Sequence, residues 1–292
     1  MCFGAGRSYR GLIVSRSNSS RAVLGALALS AAALASSPAF AVAIGSLDLS
    51  GGCSVNCGID GPDGNARTFT TTASDGSIVN VRATAWTIKG GTWNSGDHDQ
   101  AFLGYYDGGL GVTAAGSVSS GGDGNAASGN NAGGAQGRHT TDNAGSKDYI
   151  VLQFDQLVSP SAVVLNAYDM YSGGNWTKDN DATILIGTVG TGWNQFLDVE
   201  AAFPDLSTDL HEIQIKTTPS SPYVGFDAGG HYGNVIIIAA DLYYAGLKGD
   251  SPDSFKLAMM NFYTSDVPEP AMLGLFGLGL LGIGAARRRR RA

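Results

Sequence analysis

The stretch Tyr149-Ile150-Val151-Leu152-Gln153-Phe154-Asp155-Gln156-Leu157-Val158 decides the fold. Ile150, Leu152 and Phe154 alternate with Val151, Gln153 and Asp155. A period of two puts successive side chains on opposite faces of a β-strand. Outward from it, Ser161–Tyr168 reads as a second strand, beyond a hairpin-like break at Ser159-Pro160. Ser77–Lys89 places Val79, Val81, Ala83 and Ala85 on one face, and Asn80, Arg82, Thr84, Trp86 and Ile88 on the other. Ala182–Val189 and Leu210–Thr218 read as further strands, with one short helical turn in Ala201–Leu210. Val235–Tyr244 is apolar on both faces, as a central strand must be. Strands separated by turn signals, with little helical periodicity, predict an all-β fold: a single jelly-roll-like β-sandwich over residues 42–247.

Composition agrees. Of 25 acidic residues, only Glu200, Glu212 and Glu269 are glutamates. Aspartate suits turns, strand ends and loop-borne calcium sites, whereas glutamate suits helices. The span 42–270 holds all 25 acidic residues and 9 of the 18 basic ones, a net charge of −16. A polyanion would be repelled, so nucleic acid and anionic membrane surfaces are excluded as partners, while cations and neutral or cationic polymers are compatible. Residues 114–137 are almost entirely Gly, Ser, Ala and Asn. They have too little apolar surface to offset the entropy of ordering, which predicts a flexible loop. Residues 248–266 read as a linker.

Both ends read as export signals. Arg7, Arg10, Arg16 and Arg21 precede the apolar stretch Ala22–Leu34, and Ala39-Phe40-Ala41 fits a small-x-small cleavage site. Residues 1–41 are therefore expected to be a signal peptide, handled by signal peptidase and the secretion machinery. At the other end, Val267-Pro268-Glu269-Pro270 precedes the uncharged apolar stretch 271–286 and the basic stop Arg287, Arg288, Arg289, Arg290 and Arg291. Sixteen helical residues span about 24 Å, short against a hydrocarbon core of about 30 Å. That describes a marginal transmembrane helix with its arginines on the cytoplasmic side.

The C-terminal arrangement closely resembles the sorting tag of PEP-CTERM proteins, here residues 267–292. The resemblance implies recognition of the Pro-Glu-Pro motif by exosortase, a membrane transpeptidase. It also implies removal of the helix and basic tail, then release or attachment at the cell surface. Three internal segments resemble a subgroup of these proteins, the exosortase-dependent surface proteins. They are Val81–Trp86, Ala101–Val112 (AFLGYYDGGLGV), and His139-Thr140-Thr141-Asp142-Asn143 running through Asp148 to Asp155. Asp179-Asn180-Asp181 fits an acidic turn of the same subgroup. The resemblance implies a surface location and a β-rich fold, and no catalytic activity.

Chemistry-bearing candidates are few. Asp142, Asn143 and Asp148 cluster before one strand, and Asp179, Asn180 and Asp181 before another. Neighbouring strand ends would bring these oxygens together as a calcium site of six to eight ligands. The competing reading is that they cap turns. Cys53 and Cys57 are expected to pair as a disulfide in an oxidising compartment. Trp93, Trp176 and Trp193 lie among Gly and Asn, and are candidates for stacking on sugar rings. Asp97-His98-Asp99 reads as a solvated turn in preference to a metal site, and His211 as structural. No nucleophile elbow or phosphate loop is present, so no enzyme is expected. The expected function is a structural or glycan-binding component of an exopolysaccharide or biofilm matrix. The alternative is a secreted hydrolase acting on that polymer.

Overall fold

The computed structural model describes residues 42–51, 65–89, 92–94, 97–106, 108–114, 140–143, 146–172, 175–242, 252–265 and 287, without the side chains of 170–177 and 206–207. The chain is all-β. Its strands are β1 (Ile44–Asp48), β2 (Ala66–Thr72), β3 (Ile78–Lys89), β4 (Asp97–Tyr106), β5 (Gly109–Thr113), β6 (Thr141–Asp142), β7 (Lys147–Ala167), β8 (Asp169–Ser172), β9 (Asn175–Lys178), β10 (Ala182–Gly187), β11 (His211–Ile215), β12 (Tyr223–Gly225), β13 (Gly233–Ala240) and β14 (Ser254–Thr264). Where one short helical turn was expected in Ala201–Leu210, two single-turn helices form, α1 (Val199–Ala202) and α2 (Leu206–Asp209).

The expected two-sheet sandwich is replaced by one continuous twelve-stranded sheet whose main path runs β1-β14-β5-β4-β3-β7-β13-β10-β11, with β2, β6 and β12 pairing off it, beside a two-stranded β8–β9 ribbon. Because β14 also pairs with β7, five strands (β14, β5, β4, β3 and β7) close into a barrel core, with the others as extensions. Closure depends on β7, which is a single 21-residue strand. No hairpin forms at Ser159-Pro160; the strand runs through it and exchanges partners. Before it, Phe154 and residues towards the N-terminus pair with β3 on one side and β13 on the other. From Val158 onward, β7 pairs with β14 and β12. Proline lacks the ladder donor and is tolerated where pairing shifts; Pro160 lies opposite Phe262, at one of the register shifts in β14.

The second correction concerns residues 248–266. In place of a linker, Ser254–Thr264 forms β14, which pairs with β1, β5, β6 and β7. Phe255, Leu257, Met260 and Phe262 are buried from it. Closure against β5 also needs Gly109, whose φ of +118° few L-residues adopt, and where a Cβ would meet the Leu257 carbonyl.

Alternation is visible in the packing. Val79, Val81, Ala83 and Ala85 join Ile150, Leu152 and Phe154 in the main core, with β14's apolar residues. On the opposite face Trp86, Ile88, Tyr149, Val151, Val235, Ile237 and Ala239 form a second core. Leu197, Val199, Phe203 and Leu210, from α1 and the segments around the two helices, cover it. Strand β13 thus lies between β7 and β10 with both faces buried, which is why its sequence is apolar throughout. The leader, residues 115–137 of the expected loop and the 271–286 helix lie outside the described residues. Among the described residues no helix is long and apolar enough to cross a membrane.

Candidate metal centre

Four segments far apart in sequence end at one place. Asn143 follows β6, Asp179 and Asp181 precede β10, Asp241 follows β13, and Asp253 precedes β14. One carboxylate oxygen each from Asp179, Asp181 and Asp253 lies within 4.8 Å of the others. Asp181 and Asp253 are buried, as are Asn143 and Asp241.

The cluster is rigidly held. Asn143 Nδ2 donates to Asp253 Oδ2 at 2.7 Å and to the Asp241 carbonyl at 3.1 Å. The Asp253 N–H donates back to Asn143 Oδ1 at 2.9 Å. The Thr217 N–H donates to Asp181 Oδ1 at 2.6 Å, and Lys216 Nζ sits 3.3 Å from Asp181 Oδ2. The Ser254 N–H donates to the Asp179 carbonyl at 2.8 Å, tying β14 to the turn before β10. Asn180 anchors the same turn by donating from Nδ2 to the Leu165 carbonyl at 2.7 Å. Its Oδ1 is buried and accepts no hydrogen bond.

The electrostatics follow from burying several acids together. Loss of solvation pushes the Asp253 carboxyl up to about 8, and the charges of Asp179, Asp181 and Asp241 add to this. The hydrogen bond from Asn143 opposes the rise without cancelling it. Such a group holds a proton at neutral pH unless a cation takes the proton's place. Hard carboxylate and amide oxygens suit calcium or magnesium and not zinc.

The expected ligand set is divided. Asn143, Asp179 and Asp181 meet here; Asp142 and Asp148 do not join the carboxylate group. Asp142 Oδ2 accepts from Thr140, at 3.4 Å, and Asp148 Oδ1 from Ser146, at 3.5 Å. Sequence reasoning missed Asp241 and Asp253, because one follows an apolar strand and the other lay in the supposed linker.

Residues 266–291 match the family model described as the PEP-CTERM protein-sorting motif. The chain carries a PEP-CTERM sorting segment. Such a segment implies export across the membrane toward the cell surface, with exosortase as the processing partner. Neither a curated protein nor a solved structure matches the chain. The PEP-CTERM match begins at residue 266, directly beyond the end of β14 at Thr264. Val267–Pro270, the stretch 271–286 and the basic stop lie outside the described residues, apart from Arg287, which is exposed. Cys53 and Cys57 lie outside them too. The three segments that resemble the surface-protein subgroup become β3, the β4–β5 hairpin, and β6 with the start of β7.

The candidate sugar-stacking tryptophans in this PEP-CTERM chain fare differently. Trp93 is 6% exposed, donates from Nε1 to the Phe203 carbonyl at 3.1 Å, and packs on His98 and Tyr149. It belongs to the second core and presents no ring to a ligand. Trp193 is half-buried in the loop before α1, and the side chain of Trp176, in β9, lies outside the described residues. Asp97-His98-Asp99, expected as a turn, lies within β4 and pairs with Lys89, Ile88 and Thr87 of β3. His98 Nε2 donates to the Trp93 carbonyl at 2.8 Å, and Nδ1 accepts from the Tyr149 hydroxyl at 2.7 Å. Both ring nitrogens are used internally.

Proposed function

We propose that the protein is an exported surface or extracellular-matrix component. Exosortase separates it from its C-terminal membrane segment, and its β domain then serves as a structural or glycan-binding part of an exopolysaccharide or biofilm matrix. The observation that carries the reading is the PEP-CTERM motif at 266–291, directly beyond the last barrel strand. A cut within Val267–Pro270 leaves β14 whole, so the product keeps its closed core.

The same reading assigns calcium to the cluster of Asp179, Asp181 and Asp253, with Asn143 as the residue that orients Asp253. The ion would supply positive charge where buried carboxylates converge, holding the ends of β6, β10, β13 and β14 together. Extracellular calcium at millimolar levels suits a site of this kind.

Mass spectrometry of the protein from the extracellular fraction, with and without a working exosortase, tests the sorting claim. A C-terminus near Pro268–Pro270 that depends on the exosortase supports it; a chain still ending at Ala292 refutes it. A binding component leaves matrix polymer at its original length, whereas the hydrolase alternative shortens it.

A further inference from the structure

A second place in the fold has the chemistry of a ligand subsite. An open cleft of about 400 Å³ lies over the second core, lined by Trp86, Asp99 and Gln100 on one side and by Phe196, Asp198 and Glu200 on the other. Its size falls in the range of ligand pockets. Phe196 is 48% exposed, an unusual position for a large apolar ring. Its ring lies 5.8 Å from that of Trp86, tilted by 40°, so the indole backs it from below. The cleft therefore has an aromatic platform supported by a buried ring.

Around that platform the carboxylates of Asp99, Asp198 and Glu200 supply acceptors. Asp99 is paired with Lys89 at 2.7 Å. Asp198 caps α1, accepting from the Ala201 N–H at 3.0 Å. Glu200, in the first turn of α1, makes no hydrogen bond or ion pair among the described residues. An aromatic face bordered by carboxylates asks for a ligand with one flat C–H face, several donors and a positive charge. A carboxylate strengthens a hydrogen bond to an ammonium about twofold over a neutral one, and an aromatic face attracts a cation.

We infer that this cleft is a subsite for a pyranose bearing a protonated amine, such as an unacetylated 2-amino-sugar unit of a matrix polymer. The inference rests on the glycan-binding reading above and narrows it to a cationic sugar. The net charge of −16 over residues 42–270 favours the same partner at long range. A neutral sugar can donate a hydroxyl hydrogen bond to Glu200 but leaves its charge unbalanced, and an anionic one is repelled.

The test uses the exported, processed protein and four probes: a glucosamine hexamer, its fully N-acetylated counterpart, cellohexaose and hexalysine. Binding is read by isothermal titration and by tryptophan fluorescence, to which Trp86 reports. The glucosamine hexamer is expected to bind, more weakly at high salt, and at least about tenfold more tightly than either neutral hexamer. Phe196→Ala and Glu200→Gln should each weaken it by about tenfold, with unchanged melting by circular dichroism. Phe196→Ala separates a stacking site from general attraction of a polycation to an acidic surface, since it alters no charge. Equal binding of the neutral hexamers, tighter binding of hexalysine, or indifference to both substitutions overturns the inference. In the last case, retention of matrix polysaccharide by wild type and variants alike leaves the broader glycan reading standing. Failure of the wild type to bind any glycan removes both.

Discussion

Asn143 and Asp253, 110 positions apart, clasp each other through side chain and backbone: Asn143 Nδ2 donates to Asp253 Oδ2 at 2.7 Å, and the Asp253 N–H returns a bond to Asn143 Oδ1 at 2.9 Å. Asn143 also reaches the Asp241 carbonyl. One amide thereby joins the ends of β6, β13 and β14.

Asn143→Ala should destabilise the domain by about 2–4 kcal/mol. It orphans a buried carboxyl, a buried N–H and a carbonyl, and each buried group left without a partner costs about 1–3 kcal/mol, with water restoring part. Urea unfolding monitored by tryptophan fluorescence measures the loss; a change under 0.5 kcal/mol would mean that the clasp contributes little.

Calcium should raise the melting temperature, and chelation should lower it, because an ion that binds only the folded state stabilises by mass action. Asp179→Asn and Asp253→Asn should abolish the increment. In chelator at neutral pH, Asp253→Asn should otherwise be tolerated, since asparagine resembles the protonated acid this position holds.

The pH dependence without calcium follows from the same carboxyl. Its ordinary value is 3.8, and burial raises it to about 8 in the folded state. Between those values the unfolded chain has lost the proton and the folded chain keeps it. The contribution of Asp253 is thus fully present below about pH 4 and declines as pH rises toward 8. With calcium saturating, the ion displaces the proton and affinity should strengthen with pH over that window. Differential scanning calorimetry of wild type and Asp253→Asn, with and without chelator, separates the two; a slope shared by both proteins would assign it to other groups.

His211 and His231 stack with ring centroids 3.5 Å apart and planes 8° from parallel. Burial, then the neighbouring ring, lowers the His211 pKa below its ordinary 6.5. A lowered value for a cationic acid means that the unfolded state takes up the proton first. The contribution of His211 is therefore full above pH 6.5 and lost as pH falls through the folded value. His231→Ala should move the His211 titration upward, read by NMR of the ring protons.

A chain ending at residue 253 should fail to fold, since it lacks β14 and with it the closure of the barrel. A chain ending at 266 should melt cooperatively, like the processed product. Circular dichroism distinguishes them, and cooperative melting of the shorter chain would show closure to be dispensable.

The period-two patterns of β3 and β7 and the apolar run of β13 were readable because neighbouring strands and the two cores preserve which faces are buried. Strand β14 was not, although Phe255, Leu257, Met260 and Phe262 are all buried. Register shifts between Leu257 and Met259, and between Asn261 and Phe262, break its period, and a preceding Gly-Asp-Ser-Pro run imitates a linker. Missing it also concealed Asp253 and the closure into a barrel. Of the candidate site, Asn143, Asp179 and Asp181 were legible as acidic turns before strands. Phe196 carried no signal, since an exposed phenylalanine has no local mark in sequence.

What the sequence by itself determined is what local pattern decides: which segments alternate, the acidic balance of the domain, and a sorting segment that a membrane enzyme reads as a linear motif. Such properties depend on neighbours in the chain. Only the tertiary structure decided that β7 exchanges partners between Phe154 and Val158, that β14 closes the barrel, that Trp93 faces inward, and that Asn143 meets Asp253. These depend on strand register between distant segments. A slip of one residue there reverses every face, and the local sequence does not choose the partner.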